Sequence, residues 1–359
     1  MPPDLPPPPV LRYAAAVTAT AADGDAAVTD GAPFARPWLL VDAGANRARF
    51  GLQTAPGRIE AIWEAGCAAY PTLGAAIVDY LKQPATVAAG GYQARRAGIA
   101  IANPVDGDAV RMTNHHWAFS IAAICSQFGL QSLRVENDSK ALARALPYLT
   151  PEQRRQVGGG APRAHSVIGL VSPCTGLGVA GLLPVDGRWV ALDSEGGHSS
   201  FAPGSEREID ILRYARRLHG HVSAERLVSG IGLVLVYAAL AERAGVSASA
   251  GPAPGVPEIV ARGVGGQCAL CEETLHAFCD MLGTVAGNVA ITLGARGGIY
   301  VGGGIVPRLG DFFDRSGFRA RFEQKGRLSG YLEQIPTYVL KAAFPELIGM
   351  SVLMTEAAA

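Results

Sequence analysis

Charge is scarce in this chain, and neither sign is in excess. Asp, Glu, Lys and Arg make up 17% of the 359 residues, with 31 basic residues against 31 acidic ones. Without a basic surplus there is no electrostatic footprint for nucleic acid or an anionic membrane as the main partner. No apolar run in the sequence reaches the roughly 18 residues needed to cross a bilayer. Cysteine is also sparse. The six present (Cys67, Cys125, Cys174, Cys268, Cys271 and Cys279) show no disulfide-framework spacing, so a reducing, cytoplasmic setting is expected. The amino-terminal stretch lacks the basic n-region and apolar h-region of a secretory signal.

What the chain does have is apolar bulk. Hydrophobic residues reach 49%, enough for a compact soluble enzyme, and the length suits two domains. Residues 1–37 are rich in Pro and Ala and read as a disordered tail. Order is expected from Trp38. Strands are predicted at 38–42, 47–53, 59–65, 97–103, 132–136, 298–301 and 336–340. Helices are predicted through Leu81 from Pro71, at 120–128, 139–147, 205–218, 224–243, 267–294 and 345–358, with one starting after Pro307. Residues 149–164 are polar and glycine-rich and read as a boundary or surface loop. Strands alternating with helices give an α/β class with mixed sheets.

Three glycine-rich turns follow apolar strands, at Asp42–Arg49 (with Gly44), Ser172–Gly178 and Gly302–Arg308. Such turns let backbone N–H groups close on phosphate oxygens. Three in order suggest one nucleotide touched from three sides; tight connections between elements are the plainer alternative. Gly176–Gly181 matches G-x-G-x-x-G, but a strand rather than a helix is expected after it, which excludes a dinucleotide site. No Walker P-loop occurs. Val171–Ser199 reads as a hairpin turning at Val185–Arg188, with the glycine turn at one end and Glu195 and His198 at the other.

Asn137-Asp138 falls where a strand meets a helix. The carboxylate there reads either as an N-cap or as a general base taking a hydroxyl proton during phosphoryl transfer. With Glu195, His198 and Glu225 it forms a set able to bond several hydroxyls of a sugar. Cys268-x-x-Cys271 has no second pair to complete a zinc site and reads as structural. His115-His116 beside Trp117 reads as a turn, with no carboxylate spacing to support a metal.

At these residues the chain from about Trp38 onward resembles the bacterial glucokinase family, within the actin-like ATPase and sugar kinase superfamily. The likeness is dense in MTNHHWAFS (112–120), END (136–138), TGLGVAGLLPVDGRWV (175–190), EGGH (195–198), HVSAERLVSG (221–230), GGGIVPR (302–308) and SGFRARFEQKGR (316–327). The resemblance implies a two-domain actin-like (ribonuclease H-like) sugar kinase fold, with mixed sheets flanked by helices and a central cleft. It divides the chain into a small domain (38–148 plus 344–359) and a large one (149–343). It implies transfer of the ATP γ-phosphate to the 6-hydroxyl of glucose, with Mg²⁺. Asp138 matches the family's catalytic base. Asn137, Glu195, His198 and Glu225 match its sugar ligands. Asp42 matches the acid holding Mg²⁺ through water. Gly44 and Asn46 stand in the first phosphate loop, Thr175-Gly176 in the second, and Gly303-Gly304 at the adenosine turn. A homodimer is expected by analogy.

The first loop departs from the family's D-x-G-G-T-N-x-R: Ala45, Asn46 and Arg47 replace its second glycine, its threonine and its asparagine. If that glycine position needs positive φ, Ala45 carries strain of order 1 kcal/mol. The alternative function is therefore a glucose-binding regulator with reduced or lost kinase activity.

Overall fold

The computed structural model describes residues 35–112, 115–246 and 253–357. The expected tail, apart from its last three residues, lies outside the described residues. The chain divides into two compact units, one drawn from Met1–Thr150 with Ala342–Ala359 and the other Pro151–Lys341. No described helix is long and apolar enough to cross a membrane.

The first unit holds strands β1 (Trp38–Ala43), β2 (Arg47–Ala55), β3 (Arg58–Gly66), β4 (Arg96–Ile101), β5 (Ala109–Arg111), β6 (Ala118–Ser120) and β7 (Ser132–Asn137). Five of them form a sheet in the order β3-β2-β1-β4-β7, while β5 and β6 make a separate ribbon. Every residue of β1 is buried, because it lies between an antiparallel β2 and a parallel β4. Helices α1 (Leu73–Leu81), α2 (Pro84–Ala88), α3 (Ile121–Phe128) and α4 (Asp138–Ala145) follow their strands. Thr72 caps α1 by accepting the Ala75 N–H at 3.1 Å, and Ser120 caps α3 by accepting that of Ala123 at 3.0 Å. The ribbon of β5 and β6 was not legible in the sequence, since three-residue strands carry almost no periodicity.

The second unit holds β8 (Arg154–Val157), β9 (Ile168–Pro173), β10 (Leu177–Val185), β11 (Arg188–Leu192), β12 (Gly298–Val301) and β13 (Thr337–Leu340), in the order β11-β10-β9-β12-β13-β8. The central strands β9, β12 and β13 are buried throughout. The β10–β11 hairpin turns at Asp186 and Gly187, both at positive φ (47° and 75°), the geometry that suits the twist of a two-residue hairpin. The glycines at 176–181 do run into a strand. Its helices are α5 (Glu206–Leu218), α6 (Gly230–Arg243), α7 (Val256–Val264), α8 (Ala269–Leu293), α9 (Val306–Leu309), α10 (Asp311–Arg315), α11 (Phe318–Glu323) and α12 (Ser329–Glu333).

Three sequence readings need correction here. The helix expected from 224 begins only at Gly230, because Ser229 caps it through the Gly232 N–H at 3.0 Å. The expected loop at 149–164 contains β8, an edge strand without apolar alternation. Arg154 supplies its packing instead, with its guanidinium 4.8 Å from the Tyr338 ring centroid. Helix α7 was missed behind a Pro/Gly-rich stretch.

Helix α13 (Pro345–Glu356) returns to the first unit and is buried from Leu347 to Met354. It lies parallel to α4. A Cβ placed on Gly349 would sit 1.7 Å from the Ala141 carbonyl oxygen, and Arg144 pairs with Glu356 at 2.8 Å near the carboxyl ends. This alignment brings Glu346, in the first turn of α13, to the end of α4 that starts with Asp138. Burial, then the charge of Asp42 on β1, push the Glu346 carboxyl up to about 8; Asp138 adds to the rise, and Arg49 on β2 opposes it. The residue before Pro345, Phe344, is held at φ 57° and ψ 49°, with the Arg49 guanidinium 5.8 Å from its ring centroid.

Gly349→Ala is expected to destabilise the protein by about 1–3 kcal/mol or more, since backbone rather than a flexible side chain must move. Gly330→Ala, where a Cβ meets nothing within 4 Å, is expected to be neutral or mildly stabilising; thermal unfolding of both variants checks the pair. Glu346 adds a pH dependence. Folded, it keeps its proton up to about pH 8; unfolded, it releases it near 4.5. Its contribution is therefore complete below the unfolded value and is lost as pH rises toward 8. In Glu346→Gln, Tm is expected to fall less than in the parent chain between about pH 5 and pH 8. An unchanged slope would refute this assignment.

Candidate active site

In the first unit the site residues gather at the carboxyl ends of β1 and β7. Asp42 is 3% exposed, and its Oδ2 accepts a bond from Arg49 Nη1 at 2.9 Å. Burial raises the Asp42 carboxyl above its ordinary range, while the Arg49 charge and hydrogen bond pull it back. Arg49 Nε also donates to Glu64 at 2.9 Å, and Arg47 reaches the same carboxylate. Burial works to raise Glu64, but the two guanidinium groups outweigh it and lower the carboxyl.

The turn between β1 and β2 closes through the Gly44 N–H on the Arg47 carbonyl at 3.1 Å. Among the described residues, Ala45 is not one of those at positive φ. The positive-φ strain expected at Ala45 is therefore absent. Arg47, with 66% of its side chain exposed, is engaged by Glu64 on β3.

At the end of β7, the cap of α4 is Asn137 and not Asp138. Asn137 Oδ1 accepts the N–H groups of Ser139 at 3.0 Å and Lys140 at 3.2 Å. Asp138 is the first helical residue. Its Oδ1 accepts the Ser139 N–H at 2.6 Å and the Ser139 hydroxyl at 3.2 Å, and negative charge is favoured at a helix N-terminus. Residues His116 and Trp117 are tied to Tyr70, each with a ring nitrogen 3.0 Å from its carbonyl oxygen. His115, beside them, is lowered by burial and by its neighbour His116.

In the second unit the hairpin and the Glu225 turn converge on Leu177. Glu225 Oε2 accepts the Leu177 N–H at 2.9 Å. Gly176 leaves room for this carboxylate, since a Cβ there would lie 2.4 Å from it. Gly197 is required in the same way, its Cβ position being 2.0 Å from the Leu177 oxygen. The Glu225 N–H donates to the Gly197 carbonyl at 2.9 Å. These contacts bring His198 Nε2 within 3.8 Å of Glu225 and 3.9 Å of Glu195. The turn at Cys174–Gly176 and the third glycine turn are adjacent. Gly303 has φ 77°, and a Cβ there would lie 2.2 Å from the Pro173 oxygen and 2.9 Å from Cys174 Sγ. Gly304 opens onto free space.

The structure thus brings Asn137 and Asp138 together, and separately Glu195, His198 and Glu225 with Thr175 and Gly176. Sequence reasoning missed the role of Arg49 in holding Asp42; its signal was an Arg at the end of the loop pattern. It also missed Glu346, for which no local signal exists. Among the described residues no group of three or more His, Cys, Asp or Glu side chains could hold a metal ion. Asp42 alone fits an ion that keeps its own waters and is carried by phosphates, the usual habit of Mg²⁺.

The Glucokinase family model matches residues 39–357. The chain is 52% identical over 324 residues to the glucokinase of Chromobacterium violaceum, covering 90% of this chain and 91% of that protein. It is 51% identical to the bifunctional protein glk of Paraburkholderia xenovorans, of which it spans 49%. The crystal structure of glucokinase from an Antarctic psychrotroph matches with a TM-score of 0.77 at 34% identity, covering 89% of this chain and 99% of that one. A ROK family glucokinase from Streptomyces griseus, in complex with glucose and AMPPNP, shares the fold with a TM-score of 0.59 at 20% identity, covering 89% of this chain and all of that one. With the family model spanning most of its length, the chain belongs to the glucokinase family.

Proposed function

We propose that the protein transfers the γ-phosphoryl group of ATP to the 6-hydroxyl of glucose, with Asp138 as the base. Membership of the family makes it an ATP-dependent sugar kinase. The observation that carries the residue assignment is the Glu225 carboxylate. One of its oxygens holds the Leu177 N–H next to Gly176, and the other faces His198. One side chain thereby orients both the turn assigned to phosphate and the set assigned to sugar hydroxyls.

In this reading Asn137, Glu195, His198 and Glu225 bond the hydroxyls of glucose. The bonds from Ser139 fix the orientation of Asp138, which accepts the hydroxyl proton as the sugar oxygen bonds to the γ-phosphorus. The bond from that phosphorus to the bridging oxygen breaks and ADP leaves. Gly44, Asn46, Thr175 and Gly176 line the phosphates, and Gly303-Gly304 the nucleoside. Asp42 would hold Mg²⁺ through water, and the ion supplies charge neutralisation on the phosphates. A sugar that lacks any one of these hydroxyls leaves polar groups of the site unpaired, which gives the site its selectivity. A cytoplasmic setting and a homodimer belong to the same proposal and rest on family likeness.

Asp138→Asn is expected to keep glucose binding while kcat falls by about 10²–10⁴-fold, measured by calorimetry and a coupled assay. Near-parental turnover would remove Asp138 from the role of base. Ala45→Gly is expected to leave kcat and the KM for ATP within about threefold, because Ala45 carries no positive-φ strain to relieve. A gain of tenfold or more would show that the loop is impaired and revive the regulator reading.

A further inference from the structure

Helix α8 begins with a cysteine pair that the proposed reaction does not use. Cys268 is its N-cap, and the sulfur accepts the Cys271 N–H at 3.3 Å. Oxygen-bearing side chains normally fill this position and accept more strongly, so capping alone does not account for sulfur. Cys271 is fully buried one turn further on, while Cys268 is partly exposed.

The two thiols differ in character. Burial works to raise Cys268, but hydrogen bonds from the Cys271 thiol and from the helix-end backbone, with the charge of Arg262, lower it below the usual range. Burial, then its bond to Cys268, push Cys271 up to about 12. One accessible, thiolate-prone sulfur beside one shielded thiol is the division of labour of an exchanging dithiol. Their three-residue spacing within one turn falls in the range of Cα separations that a disulfide spans.

The pair is connected to the phosphate turn through α7. At the carboxyl end of α7, Gly263 packs on the Cys271 backbone, where a Cβ would lie 3.0 Å away, and Arg262 acts on Cys268. At its amino end, Val256 approaches Gly230, with 3.9 Å to a Cβ placed there. The Gly230 N–H donates to the Cys174 carbonyl at 2.7 Å, immediately before Thr175-Gly176.

We propose that Cys268 and Cys271 are a redox-active site for low-molecular-weight disulfides such as oxidised glutathione, and that its oxidation weakens ATP binding through α7. The Cys268 thiolate attacks one sulfur of oxidised glutathione, and the first glutathione leaves as its thiolate. The Cys271 sulfur then attacks Cys268, and the second glutathione leaves. Two protein thiols become one disulfide, and their two protons end on two glutathione thiols. The disulfide sulfur is a poorer acceptor for the Cys271 N–H and no longer attracts Arg262, so the junction of α7 and α8 loosens.

The disulfide step stands alone, whereas the effect on ATP rests on the nucleotide role given to Thr175-Gly176 under the proposed function. The test is to equilibrate the full chain with oxidised glutathione and follow intact mass, peptide map and kinetics. The expected result is loss of two hydrogens mapped to Cys268 and Cys271. With it comes a several-fold rise in the KM for ATP at unchanged KM for glucose, reversed by dithiothreitol. Cys271→Ser is expected to stall as a glutathione adduct on Cys268. Cys268→Ser, which keeps a capping oxygen, is expected to abolish both the mass change and the KM change. Absence of the 268–271 disulfide overturns the site. A KM change that persists in Cys268→Ser overturns the coupling and points to the exposed Cys174. A reduced protein without ATP turnover would instead overturn the proposed function, and the mass readout would still decide the disulfide.

Discussion

The hydrogen bond from the Leu177 N–H to Glu225 is the constraint on which the second unit's site depends. Leu177 opens β10, so its N–H points out at the end of the sheet where the ladder with β9 runs out. A carboxylate fills that vacancy. It does so only because residue 176 has no side chain, and the loop at 195–198 closes beside it only because residue 197 has none. Two glycines that read as phosphate-binding or turn residues are thus demanded by how closely three backbone segments meet. Charge-assisted bonds of this type are stronger than neutral ones, which suits a side chain that holds three backbone segments together.

The first unit meets a different electrostatic demand. Asp42, Glu346 and Asp138 gather at one end of α4, α13 and β1, with Arg49 as the nearby cation. Three carboxyl groups near one guanidinium cannot all be charged cheaply in a partly dry setting. The unit resolves this by leaving Glu346 protonated across most of the neutral range and by tying Asp42 to Arg49. Asp42 is thus not a bare carboxylate but one member of an ion pair whose partner is itself shared with Glu64.

Sequence reading succeeded where one local signal decides. The strands at 38–43 and 298–301 are legible because central strands become continuous apolar runs. The caps at Thr72 and Ser120 are legible from residue type. Reading failed where a distant partner decides. Nothing near Arg154 says that two tyrosines from other strands await it. The concern over Ala45 came from a pattern position, whereas φ there is set by how β1 and β2 pair. Asn137 and Asp138 were both singled out, but which one caps the helix depends on a one-residue offset that residue type leaves open. Glu346 looks like any acid in a first helical turn until α13 is laid against α4.

That last helix has a consequence for synthesis. Its Leu347 packs over Gly51 of β2, its Met350 and Met354 over Gly98 of β4, and its backbone at Gly349 over Ala141. All of those partners leave the ribosome before residue 150, yet α13 follows only after residues 151–341. At ordinary rates of elongation that interval lasts roughly 10–40 s. During it the sheet carrying Asp42 exposes the apolar face that α13 will later cover, and by its end the second unit has its whole sequence and is free to fold. The nascent chain therefore completes its units in reverse order of their beginnings, and the first unit's half-covered sheet is the stage at which a chaperone has the most to protect.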